Sequence, residues 1–290
     1  SLFKIRRASW DSNILYNDAP VCVLRLSITS VIFSASGYQY NGKHFNCLEK
    51  LQNILADLPS VEKTVIIPFE RGGNSVSINS DGTIVAGSSR FGTNDKGEVK
   101  IFQYTPSGQT SWTQMGSDIA GEANSDFSGQ SISLDGSGHK IAIGAIYNDG
   151  GGSNSGHARV YRYTPSGTAS WTQVGADIDG ESASDYFGDA VSLSADGFTL
   201  AVGARSNEGG GSSRGAVYVY KFTPTETTSW TQFRNDIDGG TSNSAFWGES
   251  VKISKDGTRV VGGSCLADDG PGSNAGLLKV FDYLPEVEIF

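Results

Sequence analysis

The sequence predicts an all-β chain whose larger part is a β-propeller of four-stranded blades, and three observations carry that reading. The tetrapeptide Ser-Trp-Thr-Gln starts at Ser111, Ser170 and Ser229, so Trp112, Trp171 and Trp230 follow one another at intervals of 59 residues. A fixed interval of this kind marks a repeat architecture rather than one irregular core. Between the copies, apolar and polar residues alternate in short runs bounded by Gly, Asp-Gly or Pro. Alternation with β-branched and aromatic enrichment, punctuated by turn residues, is strand chemistry. The chain also holds 38 glycines and shows no long helical pattern after residue 70, as an all-β repeat protein would.

One unit shows the elements in order. Residues 188–194 (GDAVSLS) form a first strand, Asp196-Gly197 a hairpin tip, residues 198–204 (FTLAVGA) a second strand and residues 215–222 (GAVYVYKF) a third. Pro224 then interrupts before the tryptophan strand closes the unit. The same pieces recur at 129–134, 139–145 and 156–163, and at 248–254, 258–264 and 276–283. A weaker first copy reads 73–79, 83–88 and 97–104. Four strands of this length make one blade, which places blades over about 70–114, 115–174, 175–233 and 234–290. The tryptophans are read as packing residues at the outer edge, because a site residue need not recur in every blade.

The fourth unit has no tryptophan strand of its own. Residues 286–290, residues 64–68 or further blades could complete it, and further blades are favoured because larger rings are commoner than rings of four. The chain begins at Ser1 and its single methionine is Met115, so a fragment, a processed form or an incomplete reading frame is expected.

Residues 1–69 stand outside the repeat. Leu48, Leu51, Ile54 and Leu55 lie at helical spacing in an amphipathic run over 46–58, between strand-like stretches at 30–34 and 64–68. Strand, helix, strand is the order of a small α/β segment. Charge divides the chain at the same place. Residues 1–69 carry seven basic and five acidic side chains, leaving 15 basic and 26 acidic for the remainder. An acidic repeat region argues against nucleic acid and anionic membranes as partners, and no apolar run is long enough for membrane insertion. Cys22, Cys47 and Cys265 have neither metal-ligand spacing nor the number for a disulfide scaffold.

The repeat is carried by Phe187-Gly188, by Ser192 to Gly197, by Ala201-Val202-Gly203-Ala204 and by the run from Gly215 to Tyr220. Counterparts include Gly129, Ala142-Ile143-Gly144-Ala145 and Arg159-Val160-Tyr161, then Trp247-Gly248, Asp256-Gly257 and Val261-Gly262-Gly263. Over about residues 70–285 this pattern resembles the FG-GAP repeats of integrin α-subunit propellers. The resemblance implies a non-catalytic binding module, extracellular or at the cell surface, engaged in adhesion or recognition of a protein or carbohydrate ligand. Calcium-binding blades of that family place three or more oxygen ligands in the first hairpin. Here that hairpin holds one acid per unit, so its Asp-Gly pairs are read as turns.

Two other sets of acids recur. Asp118, the run Asp177-Ile178-Asp179-Gly180-Glu181, and Asp236-Ile237-Asp238 follow the tryptophan strands and lead through Asp126 and Asp185 into the next blade. Asp177, Asp179, Glu181 and Asp185 are the candidate metal ligands of this set, with Ca2+ as the cation such hard oxygens take. The second set opens the glycine-rich loops between second and third strands, and its candidate ligand-binding residues are Asp95, Asp149, Glu208 and Asp269. Both sets fall on one rim; the plain alternative is solvated acidic turns. His44, His139 and His157 have no nucleophile partner in sequence, and exposed strand positions account for the last two. No catalytic residue is assigned.

The N-terminal segment carries its own resemblance. Ile32-Phe33-Ser34, Tyr40-Asn41-Gly42-Lys43, the run Leu48 to Gln52, Leu58-Pro59 and Val65-Ile66-Ile67-Pro68 are similar to a stretch of acetoacetyl-CoA synthetase, an adenylate-forming acyl-CoA ligase. Such ligases need a phosphate loop ending in lysine, an adenine-binding aromatic motif and a mobile C-terminal domain, and the sequence contains none of them. A fragment or fusion of such an ATP-dependent ligase, lacking its catalytic motifs, is the alternative to the binding module.

Overall fold

The computed structural model describes residues 31–35, 37–40, 43–46, 63–67, 74–105, 111–166, 169–209, 213–224, 229–239, 245–267 and 276–283. The chain folds as two compact units, Ser1–Gly73 and Asn74–Phe290. In the first, β1 (Val31–Ala35) pairs in parallel with β4 (Lys63–Ile67), and β2 (Gly37–Tyr40) forms a hairpin with β3 (Lys43–Asn46). A parallel pair requires a long crossover. The amphipathic run over 46–58 falls on that crossover, and beyond Asn46 it lies outside the described residues.

Among its described residues the second unit contains four antiparallel sheets, each with its strands in chain order. The first holds β5 (Ser75–Ile78), β6 (Ile84–Ser89), β7 (Glu98–Thr105) and β8 (Ser111–Gln114). The second holds β10 (Ser128–Leu134), β11 (Lys140–Ala145), β12 (His157–Thr164) and β13 (Ser170–Gln173). The third holds β15 (Phe187–Leu193), β16 (Thr199–Ala204), β17 (Ala216–Phe222) and β18 (Trp230–Gln232). Among the described residues the fourth holds three strands, β20 (Ser250–Ile253), β21 (Arg259–Ser264) and β22 (Leu277–Asp282). The first three sheets are the four-stranded blades expected from the repeat.

Three of them also carry a fifth, two-residue strand. β9 (Ile119–Ala120), β14 (Ile178–Asp179) and β19 (Ile237–Asp238) double back after the tryptophan strand to pair with the start of the third strand. Ile119 and Ile178 are almost fully buried, so the apolar residue between the acids anchors the return. The acidic turns are thereby drawn against the third strand.

Packing repeats from sheet to sheet. Val99 and Ile101 of β7 share a buried cluster with Ile132, Leu134, Ile141 and Ile143 of the next sheet. Ala158 and Val160 are clustered with Val191, Leu193, Leu200 and Val202, and Val217 and Val219 with Trp247, Val251 and Val260. Each third strand thus lays one face on the first two strands of its successor. The tryptophans bridge the same seams: the Trp171 indole N–H donates to the Met115 carbonyl at 2.6 Å, and that of Trp230 to the Val174 carbonyl at 2.9 Å.

Glycine sits where backbones meet. Gly188 and Gly248, the glycines that open the third and fourth units, adopt φ of +88° and +90°. A Cβ built on Gly203 would lie 1.9 Å from the Gly248 carbonyl oxygen, which no side chain can accommodate. The Asp-Gly tips behave as turns. Carboxylate oxygens of Asp81, Asp196 and Asp256 accept the backbone N–H two residues on, at 2.9, 2.9 and 3.1 Å. No helix among the described residues is long and apolar enough to cross a membrane.

Two substitutions separate backbone proximity from general glycine effects. Gly203→Ala should destabilise by about 2 kcal/mol or more through the clash with the next sheet. Gly263→Ala, whose nearest neighbour would be 3.8 Å away, should leave stability nearly unchanged. Urea unfolding midpoints of the two variants check the contrast.

Candidate functional site

Strand order places two kinds of loop at one end of the sheets: those between second and third strands, and those entering each first strand. Side chains tie them together. The Asn148 amide donates to Asp126 at 3.0 Å, and the Asn207 amide to Asp185 at 3.1 Å. The same two carboxylates accept backbone N–H groups, Ala123 on Asp126 at 3.2 Å and Ser182 on Asp185 at 3.1 Å. Asp185 is 1% exposed, and burial raises its carboxyl above the usual range despite those bonds. Its Oδ1 has no hydrogen-bond partner among the described residues.

The candidate ligand-binding acids divide by exposure. Asp149 and Glu208 are exposed, and Asp95 is half-buried. Asp149 accepts the Asn154 N–H at 2.7 Å and so closes its own loop. Asp269 lies outside the described residues.

The candidate metal ligands Asp177, Asp179, Glu181 and Asp185 have separate surroundings. Asp177 is gripped by Arg159 through Nε at 2.9 Å and Nη2 at 2.6 Å, and by the Gln173 amide at 2.6 Å. Burial works against its charge, but these donors hold it below the usual carboxylate range. Asp179 is raised by burial and by neighbouring Asp177. Glu181 accepts the Tyr218 hydroxyl at 3.4 Å. Among the described residues, Asp177 instead meets Glu122 and His157 in a group of potential ligand atoms within 4.8 Å of one another.

A side chain already neutralises that group. Arg159 is 8% exposed and pairs with both Glu122 and Asp177. The first sheet repeats the arrangement with lysine: Lys100 lies 3.6 Å from both Glu98 and Asp118. In the third sheet the matching position is Tyr218. In the first two sheets Asp118 and Asp177 are therefore met by a cation on the third strand of their own sheet, while Arg159 and Tyr218 also reach Glu122 and Glu181 of the preceding sheet.

His157 corrects one expectation. The sequence suggests an exposed strand position, yet the residue is 3% exposed, beside Glu122, Asp177 and Arg159. Burial first, and the Arg159 charge second, push it down to about 4. Its Nδ1 is buried without a hydrogen-bond partner among the described residues.

The same rim carries an aromatic row that sequence reasoning missed. Phe91 packs on Phe127 at 5.6 Å between ring centroids, Phe127 on Tyr147 at 5.0 Å, and Tyr147 on Tyr186 at 5.5 Å. All four rings are half-buried. Arg90 lies over Phe91 at 4.6 Å and Arg205 over Tyr186 at 5.1 Å, closing the row with a cation at each end. Gln130 and Asp189 connect those cations: Arg90 donates to Gln130 at 2.8 Å, Gln130 to Asp189 at 3.0 Å, and Arg205 to Asp189 at 3.0 Å. A signal existed, since an aromatic residue precedes the first strand of the second, third and fourth sheets at Phe127, Tyr186 and Phe246, each with positive φ.

A repeated sheet, a glycine of positive φ opening the second, third and fourth units and a seam of glycine against carbonyl describe a recurring blade. Residues 112–161 and 176–220 match the FG-GAP repeat. The FG-GAP matches fall on the second and third units, where the pattern is most regular. Acetoacetyl-CoA synthetase from Danio rerio is 39% identical over 49 residues, in agreement with the N-terminal resemblance. That alignment spans 17% of this chain and 7% of the synthetase. A solved structure described as a 6-phosphogluconolactonase from Bacteroides uniformis is 13% identical, with a TM-score of 0.45. Their alignment covers 67% of this chain and 48% of that one.

Buried His157 makes stability depend on pH. Its folded value of about 4 lies below the ordinary 6.5, so the unfolded chain takes up the proton first. Stability is full above pH 6.5 and falls as the pH drops towards 4, by about 2 kcal/mol between pH 6.5 and 5. Urea titrations at both pH values should show that loss in the native chain and a much smaller one in His157→Gln.

Proposed function

We propose that the chain is a non-catalytic recognition module that binds a protein ligand at this rim and works outside the cell or on its surface. The carrying observation is the half-buried row Phe91, Phe127, Tyr147 and Tyr186 with Arg90 and Arg205 at its ends. Aromatic residues and arginine dominate binding energy at protein interfaces, because they bury much surface with few rotors and keep a polar handle. Here they stand on loops braced by Asp126, Asp185, Asn148 and Asn207, so little ordering is left for the moment of binding. Exposed Asp149 and Glu208 flank the row with negative charge and favour a partner that brings basic groups to its rim. The FG-GAP repeats support the binding role and the extracellular setting. The ligase alternative rests on a short N-terminal stretch without the residues for ATP chemistry.

The test is a panel of purified extracellular domains screened by surface plasmon resonance against the native chain and a Tyr147→Ala, Tyr186→Ala variant. A partner whose affinity falls at least about tenfold in the variant, with the melting temperature held, supports the rim as the binding face. Partners indifferent to the row would overturn it. Surface labelling of a tagged chain on intact cells tests the location, and signal only after permeabilisation would sink that part.

A further inference from the structure

His157 differs from the residues that build the repeat in two respects. It does not recur: the strand pairing puts Glu98 at the matching position of the first sheet, Ala216 in the third and Leu277 in the fourth. It is also almost fully buried, yet its Nδ1 has no hydrogen-bond partner among the described residues. A buried polar atom left unpaired costs stability. Packing alone therefore gives no reason for histidine here, where alanine serves the third sheet.

The neighbours of the imidazole are suited to a metal. One ligand atom each of Glu122, His157 and Asp177, an imidazole nitrogen and two carboxylate oxygens, lies within 4.8 Å of the others. The three residues come from different stretches: His157 opens β12, Glu122 lies between β9 and β10, and Asp177 lies between β13 and β14. Pairing of β14 with the start of β12 sets Ala158 opposite Ile178 and so holds Asp177 near the histidine. Arg159 Nη2 already bridges the two carboxylates, which marks the space between them as one for positive charge. The guanidinium serves the carboxylates and leaves Nδ1 unpaired.

We propose that Glu122, His157 and Asp177 form a zinc site, filled by exchange of the ion for the Arg159 guanidinium. Two carboxylates balance the double charge of Zn2+, and the imidazole supplies the nitrogen that the arginine leaves unused. Zinc holds such ligands at about 2.0–2.2 Å, so the carboxylates must draw in around it. The Glu122 and Asp177 side chains are 50% and 32% exposed, which leaves them room to turn and gives the long arginine a way out to solvent. The nitrogen ligand selects against Ca2+, which takes six to eight oxygens. Three protein ligands leave a fourth position for water or a ligand group. This site does not rest on recognition of a protein by the aromatic row.

The test is calorimetric titration of ZnCl2 into the full chain, stripped with EDTA and held in metal-free buffer at neutral pH. One ion per chain is expected, bound at least about tenfold more weakly in His157→Gln and in Glu122→Gln. Arg159→Leu should bind zinc at least about tenfold more tightly, because no internal cation competes. His139→Gln, outside the site, should change nothing. Zinc should also raise the melting temperature of the native chain and leave that of His157→Gln where it was. Glu122→Gln, at a half-exposed side chain, carries the same comparison if His157→Gln does not fold. A native chain that binds no zinc overturns the proposal, as does zinc binding that survives both ligand substitutions. An equal response to CaCl2 overturns it too, since that reports an acidic surface only.

Discussion

The close approach of neighbouring backbones is the constraint on which the rest of the second unit depends. Gly156 bridges to Phe187 and Gly215 to Trp247 across successive sheets. Cβ atoms on Gly144 and Gly203 would lie 2.0 and 1.9 Å from the carbonyl oxygens of Gly188 and Gly248. At such distances the sheets have one register relative to one another. Val160 can then meet Val191 and Val202, and Trp171 and Trp230 can reach the carbonyl of the preceding turn. The 59-residue interval follows, because an insertion within a strand would carry glycine off its carbonyl and turn apolar residues to the wrong face.

The same geometry decides what the acids do. The return strands β9 and β14 carry Asp118 and Asp177 back onto the third strand of their own sheet, where Lys100 and Arg159 wait. A guanidinium held against two carboxylates lowers the field that free acids would project and fixes the loop at once. Burial, and that permanent cation beside it, keep the His157 imidazole neutral. Negative charge reaches solvent from Asp149 and Glu208, further out on the loops.

Strand positions, turns and the tryptophan repeat were legible because their signals are local. Period-two alternation over 188–194 and Asp-Gly at the hairpin tips need no knowledge of the tertiary fold. The two-residue strands were not legible, since Ile178-Asp179 is too short to show any period. Side-chain partners were hidden for another reason. Arg159 and Asp177 lie 18 residues apart, and Gln130 and Asp189 59 apart, so the order of acids along the chain could not tell braces from exposed charge. The burial of His157 and the row of rings from Phe91 to Tyr186 depend on loops of different sheets meeting at one end.

The fourth sheet shows the same strands where no following sheet lies among the described residues. Leu278 and Val280 correspond to Ala158 and Val160, yet they are 69% and 57% exposed, because their face meets no following sheet among the described residues. An apolar face on an open edge invites indiscriminate pairing, and proteins answer it with charge. Lys279 and Asp282 stand on β22, and Arg259 pairs with Asp282 across the hairpin. Those charges penalise the pairing of a plain hydrophobic strand along β22.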